Sequence, residues 1–200
     1  MAPALALGVR RFSHFELLVH LKRHLNPLKD APRYLGPDHA AVVLLLTLEE
    51  GDVQLLFAKR AENPDDPWSG HIAFPGGRSK EVDSSLDRTA CREFFEETFV
   101  DICKRAELMG FLPPLSPSNM PTLSVTPFVA YSDRKFVFSP SREVTEVFWA
   151  SLRNLNEATV EITLGDGSKL RRPAYVHGQH VIWGLTAHIL DELLDVLRQG

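Results

Sequence analysis

Glu93, Glu96 and Glu97 crowd the short stretch REFFEET that begins at Arg92. If this stretch is helical, a turn of about 100° per residue brings the three carboxylates within an arc of about 100°. Glu93 and Glu97 are then like charges four residues apart, destabilising by about 0.2–0.5 kcal/mol, and no lysine follows within one turn to compensate either. Arg92 can pair with Glu96, but one guanidinium cannot neutralise three carboxylates. A solvated acidic face is the ordinary reading of such a helix, whereas a bound divalent cation would make use of the repulsion. Hard oxygen ligands suit Mg2+ or Mn2+, and Mg2+ usually shares its remaining positions with water and substrate phosphates. A phosphate site would then be needed nearby, and Phe74-Pro75-Gly76-Gly77 offers one. Glycines let backbone groups approach a ligand, and the chain leads from them toward the start of the acidic helix. Taken alone, a Gly-Gly pair is more often a turn.

Positioning these groups requires a packed scaffold. Phe94 and Phe95 are expected to bury the helix against a sheet. Upstream, two apolar runs, Ala41–Leu48 and Val53–Ala58, flank EEGD as in a hairpin of buried strands, and SGHIAFPGG continues as a short strand ending at the glycines. Downstream, AELMGFLPPL, LSVTPFVAYSD and KFVFSP read as strands, SREVTEVFWASLRNL as strand or short helix, and ATVEITLGDGSKLRRPAYV as a hairpin around Asp166-Gly167. IWGLTAHILDELLDVL closes the chain as an amphipathic helix. At the front, Phe12, Phe15, Leu18, Val19 and Leu25 fall near helical spacing, with Ser13 as N-cap. A proline-rich connector follows, making residues 1–38 an arm packed on a main domain at 39–200. Strands interspersed with helices around one core argue for an α/β sandwich with a mixed sheet.

The chain has 200 residues, 44% hydrophobic and 24% charged, as expected of a globular domain. A formal charge of −4 makes nucleic acid an unlikely partner. No run of about 18 apolar residues suggests a membrane span, and no secretion signal is seen. Cys91 and Cys103 match neither a CxxC motif nor zinc knuckles, so reduced packing thiols and an intracellular, cytoplasmic protein are expected. The chain's size leaves a homodimer open. GDGSK, at 165–169, lacks the GxxxxGK[ST] spacing of a phosphate loop and reads as a hairpin turn. His177 and His180 have no spacing partner for zinc. Trp68 is expected as an aromatic lid over the core, and His71 lies beside the glycines. Lys59 and Arg60, at a strand end, are candidates for phosphate contact alongside the plain reading of a solvated strand end.

The combination resembles the Nudix box, GX5EX7REUXEEXGU with U apolar. Arg92, Glu93, Phe94, Glu96, Glu97 and Val100 match its second half. LLFAKRAENPDDPWSGHIAFPGG, TACRE, EVTEVFWASL and VIWGLTAHIL extend the likeness to the coenzyme A pyrophosphatase-like branch over about Ala40 to Leu197. Three positions depart from the pattern. Phe99 stands where the box has glycine, Asp83 replaces its first glutamate, and one extra residue precedes Arg92, as is usual in that branch. LFAKRA, where the branch has a sequence close to LLTKRS, and NPDDPWSGH make the substrate less defined than the family.

The resemblance implies a Nudix-type α/β/α sandwich and a metal-dependent pyrophosphohydrolase acting on a small nucleoside-diphosphate derivative, with coenzyme A or a relative as candidate. It also implies that Glu93, Glu96 and Glu97, with the Gly76 carbonyl, hold Mg2+ or Mn2+, and that Arg92 orients the acids through Asp83 or a neighbouring glutamate. Arg60, Gly77 and Arg78 would meet substrate phosphates. The base is open among Glu93, Glu143 and Glu146. A binding module that has lost turnover is the alternative, and Phe99 is its main support: the left-handed conformation a glycine takes there costs phenylalanine about 1–2 kcal/mol.

Overall fold

The computed structural model describes residues 6–33, 36–63, 68–139, 141–163 and 169–199. The expected hairpin is formed by β1 (His39–Glu49) and β2 (Asp52–Arg60). Its two-residue turn, Glu50-Gly51, takes φ of 51° and 81°, the left-handed pair that suits the twist of the flanking strands. The far edge of β1 runs parallel to β6 (Ser124–Tyr131), which pairs antiparallel with β5 (Glu107–Phe111). β1 also pairs with β4 (Gly76–Arg78), while β2 pairs with β3 (Ile72–Ala73) and β7 (Val144–Ser151). Among the described residues these seven strands make one mixed sheet, and β8 (Asn156–Thr163), β9 (Lys169–His177) and β10 (His180–Trp183) make a second.

Helices cover both faces of the main sheet. On one side Ala41, Val43 and Leu45 of β1 meet Leu86, Ala90 and Phe94 of α2 (Leu86–Thr98), together with Ile102 of the short α3 (Ile102–Arg105). On the other, Leu44 and Leu46 meet Leu17 and Leu21 of α1 (His14–His24) and Leu190, Leu193 and Leu194 of α4 (Gly184–Arg198). Burial on both faces explains why β1 and β2 read as continuous apolar runs rather than alternating ones. The result is the expected α/β/α sandwich. Among the described residues, no helix is long and apolar enough to cross a membrane.

Ser13 caps α1 as expected, in a capping box with Glu16. Of the expected stripe, Phe12 and Leu25 are buried and Leu18 packs partly buried against the core, but Phe15 and Val19 are exposed, and Leu17 and Leu21 face the core instead. Helical spacing selects a stripe but cannot choose between two apolar ones when the helix carries both. Likewise Phe94 is fully buried but Phe95 is 48% exposed, so only one of the two phenylalanines anchors α2, together with Leu86 and Ala90. The run from Lys135 to Ser139 forms no strand; Phe136 is buried as an irregular segment, and Phe138 lies 6.2 Å from the Trp149 ring. Residues 144–151, ambiguous in sequence, are strand. β8 and β9 pair as the expected hairpin, whose turn at Asp166-Gly167 lies outside the described residues.

Trp68 packs partly buried against the core. His180 stacks on Phe148 at 4.0 Å, His177 lies parallel to the same ring at 6.0 Å, and His71 meets Trp183 edge-on at 4.8 Å. The cysteines correct an expectation. Cys91 of α2 and Cys103 of α3 are joined in a disulfide, with Cα atoms 5.8 Å apart, rather than standing as reduced thiols. Their separation of 12 residues matched no motif because it is the return of α3 beside α2 that brings them together.

Candidate active site

Two of the three acids of α2 lie on its buried side, Glu93 and Glu97, whereas Glu96 is exposed. Leu86, Ala90, Glu93 and Glu97 are all buried, and the two carboxylates are directed at the glycine pair of β4. Glu97 Oε2 accepts a 3.0 Å hydrogen bond from the Gly76 N–H. At Gly77 an added Cβ would strike the Glu93 carboxylate, and at Gly76 it would strike the Ala41 carbonyl oxygen and the Val42 Cα. The glycines are therefore required by close approach from opposite sides, sheet backbone at Gly76 and acid at Gly77.

Burial pushes the Glu97 carboxyl up to about 8, against the pull of the Gly76 N–H and of Arg60, and the Glu93 and Glu143 charges add to the rise. Burial raises Glu93 as well, against the Arg92 guanidinium beside it. Glu96 is more exposed and lies 3.3 Å from Arg92 Nη1. Burial, more than any neighbouring charge, therefore opposes the ionised form of the two inner acids.

Arg92 is committed to a neighbour. Its Nε and Nη2 donate to Asp83 at 2.9 and 2.7 Å, its Nη2 also to the Arg78 carbonyl at 3.0 Å, and its Nη1 contacts Glu93. Asp83 is buried and also accepts from the Lys80 N–H at 2.9 Å and from Thr89 Oγ1 at 3.0 Å. The Arg92 hydrogen bond holds the Asp83 carboxyl at about 2. Because that value lies below the ordinary 3.8, the stabilisation is complete above about pH 4 and is lost as pH falls toward 2. Asp83→Asn should therefore destabilise the protein at pH 6 by about 1–2 kcal/mol after solvent screening, with the difference shrinking below pH 4. Urea midpoints of both proteins across that range check this.

Lys80, absent from the sequence-based candidates, lies 3.4 Å from Glu96 and 3.9 Å from Glu93. The only signal was a cation three residues past the glycines; the loop that folds it back is a tertiary feature. Arg78 donates to the Pro37 carbonyl at 3.0 Å and contacts Met120 Sδ, tying β4 to the connector and to the loop before β6. Arg60 sits at the end of β2 on the α2 side, close enough for its charge to act on Glu97. Glu143 acts on Glu97 too, and its carbonyl accepts from the Ala61 N–H at 2.8 Å. Glu146 is turned away: strand alternation puts it with Phe148 on the opposite face, where it lies 3.3 Å from His180 Nε2.

Phe99 completes the helix in the conformation that a glycine would take, φ 57° and ψ 21°, with its N–H donating to the Phe95 carbonyl at 2.8 Å. The turn after the acids is kept despite the substitution. Phe99→Gly should remove the strain and raise stability by about 1 kcal/mol, about 2–4 °C in Tm, at the loss of an exposed Phe95–Phe99 ring contact. Differential scanning calorimetry would show this.

Among the described residues, no three His, Cys, Asp or Glu side chains already close into a finished metal cage. The donor chemistry fits a hard divalent cation all the same. Two buried carboxylates converge on one glycine pair, a third borders them, and burial opposes the ionised form of both inner acids.

A family model of the NUDIX domain matches residues 37–167. The mitochondrial coenzyme A diphosphatase NUDT8 of Mus musculus is 31% identical over 169 residues, 82% of this chain and 80% of its own. An uncharacterized Nudix hydrolase, NudL, of Pectobacterium atrosepticum is 31% identical over 159 residues, 78% of this chain and 75% of that protein. A MutT/nudix family protein from Enterococcus faecalis shares the fold with a TM-score of 0.51 at 18% identity, over 92% of this chain and 73% of its own. The acidic helix turned inward onto a glycine pair, its arginine anchored by Asp83, and a family match over more than half the sequence lead to one assignment: the chain belongs to the Nudix hydrolase family.

Proposed function

We propose that the protein is a divalent-cation-dependent pyrophosphohydrolase that cleaves a nucleoside-diphosphate-X substrate, with coenzyme A or a derivative as the leading candidate. The observation that carries this reading is the convergence of two buried carboxylates, Glu93 and Glu97, on Gly76-Gly77. The similarity to a coenzyme A diphosphatase supports the substrate class.

In this reading Glu93, Glu96 and Glu97, with the Gly76 carbonyl, hold Mg2+ or Mn2+. The bound ions neutralise phosphate charge and acidify water. Arg92, fixed by Asp83, keeps Glu93 and Glu96 oriented. Gly77 leaves room for the diphosphate to approach the backbone, and Arg60 and Arg78 are assigned to its oxygens. Glu143 is preferred over Glu146 as the base, because its charge acts on Glu97 while Glu146 pairs with His180 across the sheet. Glu93 is the other contender. Water adds across the P–O–P bridge to leave two monophosphates, which for coenzyme A are 3′,5′-ADP and 4′-phosphopantetheine.

Incubation of the protein with Mg2+ or Mn2+ and coenzyme A, ADP-ribose or NADH, with products identified by mass spectrometry, tests the proposal. The expected result is cleavage of the diphosphate bridge that stops in EDTA. Absence of cation-dependent turnover of all three would refute it, and nucleotide binding without product, seen by calorimetry, would favour the binding module.

A further inference from the structure

The helix carrying the acids ends in a strained turn. Phe99 holds a left-handed conformation and the residue is 58% exposed, so burial does little to offset the strain. Beyond it α3 has only four residues, too few to hold a helix by its own hydrogen bonds. The disulfide spans this weak corner: Cys91 precedes Arg92 on α2, and Cys103 lies on α3, past the Phe99 turn. The Cα separation of 5.8 Å is one that a disulfide bridges without moving the backbone, so the same corner accommodates either two thiols or one bond. Both cysteines are half-buried, open enough for exchange with another disulfide.

We propose that Cys91 and Cys103 form a reversible redox pair that sets the order of the last turn of α2, the turn bearing Glu96 and Glu97. In oxidation the two S–H bonds break and a bond forms between the Sγ atoms. The two electrons and two protons pass to an acceptor disulfide such as oxidised glutathione, which leaves as two thiols. Reduction runs the same exchange in reverse through a mixed disulfide. The bond shortens the free chain between the two helices and so opposes fraying of the turn that Phe99 strains. In the reduced protein α3 keeps Ile102, buried under α2, and Arg105, whose guanidinium lies 4.8 Å from the Phe136 ring centre.

The test equilibrates the whole protein across a series of reduced and oxidised glutathione ratios, traps thiols by alkylation and reads the mass. Hydrogen exchange of residues 96–103 and the thermal midpoint are measured at both ends of the series, so the readout is independent of any substrate. The expected result is one two-electron transition within the series. Reduction should lower Tm by about 5–10 °C and speed exchange in 96–103 at least about tenfold. Cys103→Ser should match the reduced protein in both readouts at every ratio. Thiols that stay alkylatable throughout, a disulfide that no ratio reduces, or two redox forms with equal Tm and exchange would each overturn the proposal.

Discussion

Glu97→Gln is expected to lower kcat/KM on any cleaved diphosphate by at least about 100-fold while making the cation-free protein more stable in alkaline solution. The two effects have one origin. Glu97 is buried, and its carboxyl is pushed up to about 8 from an ordinary 4.5. A folded-state value raised above the unfolded one gives a contribution that is complete below about pH 4.5 and is lost as pH rises through 8. The cation-free wild type should therefore lose stability across that window, and the neutral amide, which can still accept from the Gly76 N–H, should not. Melting both proteins in EDTA at pH 5.5 and 8.5 measures the difference. Adding Mn2+ should then raise the wild-type midpoint more at pH 8.5 than at 5.5 and leave the variant nearly unmoved. Equal turnover by the two proteins, or a midpoint difference independent of pH, would remove Glu97 from the site.

The second large effect separates the adjacent glycines. At Gly76 the methyl group of alanine would meet backbone, the Ala41 carbonyl and Val42 Cα, neither of which can move without distorting β1. Gly76→Ala should cost about 3 kcal/mol or prevent folding. At Gly77 the obstacle is the end of the Glu93 side chain, which can rotate away. Gly77→Ala should keep stability within about 1 kcal/mol of wild type yet lose most activity, because Glu93 is displaced from the glycine pair. Urea denaturation and steady-state kinetics on the two variants test the contrast. Comparable loss of stability at both positions would mean that Glu93 is as rigid as the strand.

With Phe99 in the left-handed conformation, the binding-module alternative loses its main support. Sequence alone flagged the position because a glycine was missing, but a phenylalanine can accept the strained conformation when the N–H of the turn is paired and the side chain is largely exposed.

Several positions that the sequence misplaced or left open share one cause. Phe15, Val19 and Phe95 sit on helices with more apolar residues than the core can accept, and one-dimensional periodicity does not say which stripe faces inward. Glu143 and Glu146 are equivalent as letters, three residues apart; the alternation of β7 puts Glu146 on the far face of the sheet. The cysteines show the same limit, since pairing across a turn depends on how two helices meet.

The sequence by itself determined the class of fold, the family and the acidic cluster, because these depend on local periodicity, glycine placement and residue types at fixed spacing along one helix. Tertiary structure decided that Glu93 and Glu97 are buried while Glu96 is not, that Arg92 is committed to Asp83, that Lys80 returns to the acids and that Gly77 makes room for Glu93. Desolvation and close approach are properties of groups brought together from distant parts of the chain, and no spacing rule along the sequence contains them.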